Sequence, residues 1–131
     1  MFLETSAIVE FIAEGPEAAS VAERIERAAT PFLYSPTVSF EAISVLASRL
    51  RLSIFDARSL VHGFVQPLDA KQMTITPEVG ELAIAAMAQY GKGRGHPAQL
   101  NFGDCFSYAC AKSAGVPLLY VGDDFAKTDL A

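Results

Sequence analysis

No tryptophan occurs in this chain of 131 residues, only two cysteines do, and charged residues reach just 19%, below the quarter typical of soluble domains. No apolar run approaches the ~18 residues that mark a membrane-spanning helix. Basic residues are the scarcer sign, ten Lys and Arg against fifteen Asp and Glu, for a net charge of −5. That balance argues against a protein that coats nucleic acid nonspecifically, without excluding an enzyme whose acids gather round a metal. Met1-Phe2-Leu3-Glu4 reads as neither a basic nor an apolar leader region. Cys105 and Cys110 fall on one expected helix, where a five-residue offset turns them about 140° apart. A disulfide between them is therefore implausible, and both read as buried thiols of a cytoplasmic protein. Histidine and cysteine are too sparse to build a soft-metal cluster.

What is present is an apolar chain, 51% hydrophobic, read as one domain over residues 1–131 with room for a sizeable core. Such a chain hides more surface than a monomer would, which points to a partner. Phe2-Leu3 reads as a short buried strand, and Ser6 as the N-cap of a helix closed by Gly15-Pro16. Residues 17–29 read as an amphipathic helix with Val21, Ile25 and Ala28 inward. Phe32 to Ser35 reads as a second strand, and a helix follows from Thr37. Ser53 reads as the N-cap of a helix running to about Val65, on which His62 stands alone without a second ligand. Met73 to Thr76 reads as extended; Thr76 then caps a helix with Val79, Leu82, Ala83, Ala86 and Met87 inward. Asn101 to Ala114 reads as a helix ended by Gly115, and Val116 to Val121 as the last strand. Strands alternating with helices call for an α/β fold, a short parallel sheet with helices on both faces.

The stretch Leu100-Asn101-Phe102-Gly103-Asp104-Cys105-Phe106 places a lone carboxylate among apolar residues. Asp104 then either supports the start of its helix, with Asn101 as N-cap, or belongs to a metal or catalytic site. The other acids bear on that choice. Glu4 closes the first strand, and Asp123 and Asp124 follow the last. Glu41 sits among Val38, Ala42, Val45 and Leu46, with a salt bridge to Arg49 or Lys112 as the structural alternative. Acids at strand ends and helix starts converge on one crevice of an open α/β sheet. Carboxylates so gathered repel, unless a divalent cation compensates. With only oxygen ligands that cation is Mg²⁺ or Mn²⁺, and its chemistry suits phosphodiester hydrolysis. The loop Gly91-Lys92-Gly93-Arg94-Gly95-His96-Pro97 is either a solvated connection or a phosphate contact through Lys92 and Arg94. It lacks the Gly-Lys-Ser/Thr spacing of a nucleotide-binding loop.

Three segments carry a resemblance: Leu3-Glu4-Thr5-Ser6-Ala7-Ile8-Val9, His96-Pro97-Ala98-Gln99-Leu100-Asn101-Phe102-Gly103-Asp104-Cys105-Phe106, and Leu118-Leu119-Tyr120-Val121-Gly122-Asp123-Asp124-Phe125 with Thr128-Asp129 beyond. With Glu41 between them, the chain resembles PIN-domain proteins of the VapC toxin type over its whole length. The resemblance implies a three-layer PIN fold and a Mg²⁺-dependent endoribonuclease, Mn²⁺ being a possible substitute. It implies the toxin of a type II toxin–antitoxin pair, a homodimer neutralised by a cognate VapB-type antitoxin that alone contacts operator DNA. Carried over by position, Glu4 and Asp104 are the metal ligands and Glu41 and Asp123 complete the acidic site. Asp124 is able to exchange with Asp123, Thr5 and Ser6 support Glu4, and a bound water is the nucleophile. One departure stands out: the family opens with Asp-Thr-Ser, this chain with Glu4-Thr5-Ser6. The extra carbon extends the carboxylate by about 1.5 Å at most, and Mg²⁺ tolerates displaced ligands poorly. Two other readings remain: a catalytically silent PIN domain that serves as an antitoxin-binding module, and a phosphatase or receiver-like domain. The latter wants paired acids after the first strand, which Glu4-Thr5-Ser6 does not supply.

Overall fold

The computed structural model describes residues 1–131. Four strands of two residues each form an all-parallel sheet: β1 (Phe2–Leu3), β2 (Leu33–Tyr34), β3 (Lys71–Gln72) and β4 (Leu118–Leu119). Their order across the sheet is β3-β2-β1-β4. Six helices connect or flank them: α1 (Thr5–Ile12), α2 (Ala18–Glu26), α3 (Pro36–Leu50), α4 (Ile54–Val65), α5 (Pro77–Tyr90) and α6 (Phe102–Ala114). None of these helices is long and apolar enough to cross a membrane.

The order reverses at β1. Later strands add on one side as β2 and β3, and β4 adds on the other. In open parallel sheets the crevice outside the carboxyl ends at such a reversal is where ligands bind. Glu4 leaves β1 into that crevice, and residues 120–124 leave β4 beside it. Strands β1 and β4 are fully apolar, with Phe2, Leu3 and Leu119 at 0% exposure, as strands covered on both faces require. Helix α3 packs against both α1 and α6, α6 also lies against β1, and α5 lies along α6.

Several local expectations shift. Glu4, not Ser6, caps α1: its carboxylate accepts from the Ser6 N–H at 2.7 Å. The last strand shrinks from Val116–Val121 to Leu118–Leu119, and the third strand lies at Lys71–Gln72 rather than at Met73–Thr76. Pairing partners set these limits, since β4 has a neighbour only at Phe2 and Leu3. Ser35, Ser53, Thr76 and Asn101 each cap the helix after them through the side chain. On α5 the buried stripe is Val79, Ala83, Ala86 and Tyr90. Leu82 and Met87, expected inward, flank that stripe on either side and are 39% and 44% exposed; one neighbouring helix covers only a narrow face.

β4 is an edge strand, and its outward carbonyls need donors. Arg24 supplies them: Nη1 donates to the Tyr120 carbonyl at 2.9 Å and Nη2 to that of Leu118 at 3.3 Å, with the guanidinium 5.7 Å from the centre of the Tyr120 ring. This contact pins α2 to the strand that delivers the final acids. Arg24→Met keeps most of the apolar stem and loses both bonds, so urea unfolding is expected to show a loss of about 1 kcal/mol. An unshifted midpoint would mean that water serves those carbonyls equally well.

Candidate active site

Glu4 is 2% exposed and Asp104 7% exposed, and neither has an ion-pair partner. The only ion pairs join Arg27 to Glu23, Lys71 to Asp69 and Lys112 to Asp129. The alternative partnership of Glu41 with Arg49 or Lys112 is therefore not formed. Burial pushes the Glu4 carboxyl up to about 7, opposed by hydrogen bonds from Ser6 and reinforced by the charges of Asp104 and Glu41. Burial likewise raises Asp104 to about 6, opposed by the Asn101 N–H and reinforced by Asp124 and Glu41. Four carboxylates thus feel one another at the crevice: Glu4, Glu41, Asp104 and Asp124. Asp123 instead lines a separate cleft with Glu17, Ser20 and Arg24. It is Asp124 rather than Asp123 whose charge acts on Asp104, and Gly122, between them and β4, turns the chain at a φ of +94°. That backbone region suits glycine.

Each principal acid uses one oxygen for the fold. All hydrogen bonds to the Glu4 carboxylate fall on Oε2, from the Ser6 N–H and Oγ–H. Ser6 Oγ in turn accepts from the Val121 N–H at 3.0 Å, tying the β1 and β4 exits together. Asp104 Oδ2 accepts from the Asn101 N–H at 3.0 Å while Asn101 Oδ1 accepts from the Asp104 N–H at 2.9 Å, a reciprocal capping box. The second oxygen of each carboxylate makes no hydrogen bond within the chain. Glu41, half-buried on α3, lies against α6 where Gly103 leaves room. A Cβ at Gly103 would sit 2.7 Å from Glu41 Oε2.

Asp124 is exposed, and its segment is held in place from both sides. Phe125 is buried and its ring packs on Tyr120 at 5.2 Å. Asp129 accepts from the Tyr108 hydroxyl at 2.6 Å and from Lys112 Nζ at 2.8 Å. This clasp had no signal in the sequence beyond its place in the last of the three segments.

A divalent cation can be tested against these donors. No group of three His, Cys, Asp or Glu is gathered tightly enough to hold an ion with protein ligands alone. Mg²⁺ does not need one, since it commonly takes one or two carboxylates and keeps several waters. Two buried carboxylates with free oxygens and no counter-charge suit that mode. Thr5 Oγ1 adds a buried hydroxyl with no partner, whereas buried polar groups are ordinarily satisfied. The donor set fits a hard cation. Of the two hydroxyls expected to support Glu4, Ser6 makes the contact and Thr5 does not.

Phe102, expected among the buried neighbours of Asp104, is 76% exposed. It opens α6 and its side chain stands out beside the cleft. Lys92 and Arg94 lie in the same neighbourhood, lining a cleft with Asn101 and Phe102.

Residues 1–130 match the PIN domain family. The chain belongs to that family. Among its relatives, a VapC ribonuclease of Rhizobium meliloti is 43% identical over 98% of each chain. Ribonuclease VapC42 of Mycobacterium tuberculosis is 34% identical over 99% of this chain and 96% of that one. The crystal structure of Mycobacterium tuberculosis VapC20, described as a sarcin-ricin loop cleaving toxin, superposes with a TM-score of 0.75. It covers 95% of this chain and 92% of its own at 16% identity, a likeness that speaks to the PIN fold alone. The α/β architecture with a parallel four-stranded sheet is thus the PIN fold.

The raised carboxyls set a sign for stability. Between its unfolded value of 4.5 and its folded value of about 7, Glu4 keeps a proton in the folded chain that the unfolded chain releases. Its contribution is fully present below pH 4.5, falls as pH rises, and is lost above about 7. In chelator, urea unfolding at pH 5 and pH 8 is expected to show wild type losing more stability across that interval than Glu4→Gln. The difference is on the order of 2 kcal/mol. Parallel losses in the two proteins would contradict this account.

Proposed function

We propose that this PIN-domain chain is a divalent-cation-dependent endoribonuclease, the toxin of a type II toxin–antitoxin pair. One observation carries the reading. Two buried, unpaired carboxylates meet at the sheet's reversal point, in a chain that aligns nearly end to end with VapC ribonucleases. In this reading Glu4 and Asp104 hold the cation, Mg²⁺ or Mn²⁺, through the oxygens not engaged in capping. When bound, it supplies an acidified water and a counter-charge for a phosphate oxygen. Ser6 keeps the Glu4 carboxylate from rotating away, and the capping box does the same for Asp104. Glu41 and Asp124 face the same crevice and are placed to accept a proton from the attacking water or to orient it. Asp123, by its separate cleft, is assigned no part in the chemistry. Lys92 and Arg94 are candidates for the phosphate backbone.

The partners follow from the same reading: a single-stranded or looped RNA substrate, a second copy of the chain, and a VapB-type antitoxin through which alone operator DNA is reached. Exposed Phe11, Phe55 and Ile84 leave ample apolar surface for protein contacts.

Glu4 favours one variation on this reading. Glutamate is not among the preferred N-cap residues, and here it curls back to cap its own helix. Its free oxygen is displaced from where an aspartate would put it, so cation affinity and turnover are reduced. In the limit the chain is a silent PIN domain that acts only through binding.

Purified protein with Mg²⁺ or Mn²⁺ is expected to cut RNA internally, with RNA-end sequencing reporting the sites, and Asp104→Asn to lower the rate by at least about a hundredfold. Cleavage that persists in excess chelator, or at full rate in Asp104→Asn, would remove the cation-based mechanism. Absence of cleavage by wild type would leave the silent module. Glu4→Asp is expected to bind Mg²⁺ more tightly by calorimetry and to cleave faster. Equal affinity and equal rate in the two proteins would end the attenuation argument.

A further inference from the structure

Phe40 and Phe102 are the most exposed phenyl rings in the chain, at 78% and 76%, with Phe55 alone comparable. They stand on different elements, α3 and α6, yet line one cleft of 570 Å³ with Thr37, Glu41, Ser44 and Gly103. Each ring is close in sequence to an acid of the crevice, Phe40 directly before Glu41 and Phe102 two residues before Asp104. Phe102 is also braced from one side by Phe106, ring centres 5.1 Å apart, which leaves its other face open. It further borders the cleft that holds Lys92 and Arg94. Phe102 thus borders both the cleft with Lys92 and Arg94 and the cleft with Glu41.

We infer that the cleft between Phe40 and Phe102 is a nucleobase subsite, which takes one unpaired base of an RNA strand whose phosphodiester lies at the acids. The inference rests on the ribonuclease reading above and names where that reading's substrate is gripped. Unstacked bases bind by laying their faces on aromatic side chains, and every base has such a face. The rings supply the faces, and the Thr37 and Ser44 hydroxyls supply donors and acceptors for a base edge. The phosphate on one side of Phe102 has Lys92 and Arg94 within reach, and the phosphate on the other side meets the carboxylates only with a cation between them. A strand crossing Phe102 therefore finds complementary charge on both sides. A paired base has no free face to offer, so the subsite selects unpaired RNA.

The test uses an RNA that wild type cleaves, with 2-aminopurine placed next to the mapped cut, bound to Asp104→Asn so that it stays intact. Binding is expected to quench the 2-aminopurine emission. Adding Phe40→Ala or Phe102→Ala is expected to abolish the quench and weaken binding roughly tenfold, while Phe40→Tyr and Phe102→Tyr retain both. An RNA abasic at that position is expected to bind equally weakly to all of these proteins. The alternative occupant is a second copy of the chain. Alanine variants that change the sedimentation coefficient of the protein while leaving quench and affinity intact would assign the rings to that contact and overturn the subsite. Unchanged quench with unchanged oligomeric state would overturn it too, with the ribonuclease reading still standing. No cleavage of any RNA by wild type would overturn both.

Discussion

Two carboxylates are buried at one crevice with no basic side chain paired to either, and much of the structure is arranged around that fact. Glu4 and Asp104 lie at the point where the sheet order reverses, nearly inaccessible to water, with Glu41 and Asp124 adding like charge. Left alone such a group resists ionisation, and the raised values of Glu4 and Asp104 express that resistance. A fold does not retain this arrangement for stability, because an uncompensated buried charge is a net cost. The divalent cation proposed above would supply the missing positive charge.

The scaffold limits the cost by giving three of the four acids a structural task. Glu4 caps α1, Asp104 closes the capping box of α6, and Glu41 fills the space that Gly103 leaves open. Ser6 is the joint of this assembly, since it donates to Glu4 and accepts from the backbone that leaves β4. A change at the end of one strand is thereby felt at the end of the other. Arg24 and the Asp129 clasp then hold the β4 exit from outside, so that Asp124 is presented by an anchored segment rather than a free tail. Capping and metal binding are not rival explanations of Asp104. Oδ2 serves the cap and leaves Oδ1 free for the proposed cation.

Much of this was legible in the chain itself. The helix starts at Ser53, Thr76 and Asn101 could be read because a cap acts over three residues, and the side chain that satisfies the first N–H groups is next to them in sequence. The acids at strand ends could be read because an α/β chain brings strand ends to one edge. The strand limits were harder. Val116 to Val121 has the composition of a six-residue strand, but a strand exists only as far as its neighbour does, and Phe2-Leu3 is two residues long.

By itself the sequence determined the fold class, the alternation of strand and helix, and the set of acids from which a site had to be drawn. Those follow from periodicity, capping and topology, which are local or nearly so. Only the tertiary structure separates the surroundings of Asp123 and Asp124, the first lining a cleft with Arg24 and the second acting by its charge on Asp104. Only it moved Phe102 from an expected core position to the rim of the crevice, and brought Phe40 across from another helix to face the same cleft. Exposure is a property of what packs on a side chain, and neither α3 nor α6 carries that information alone.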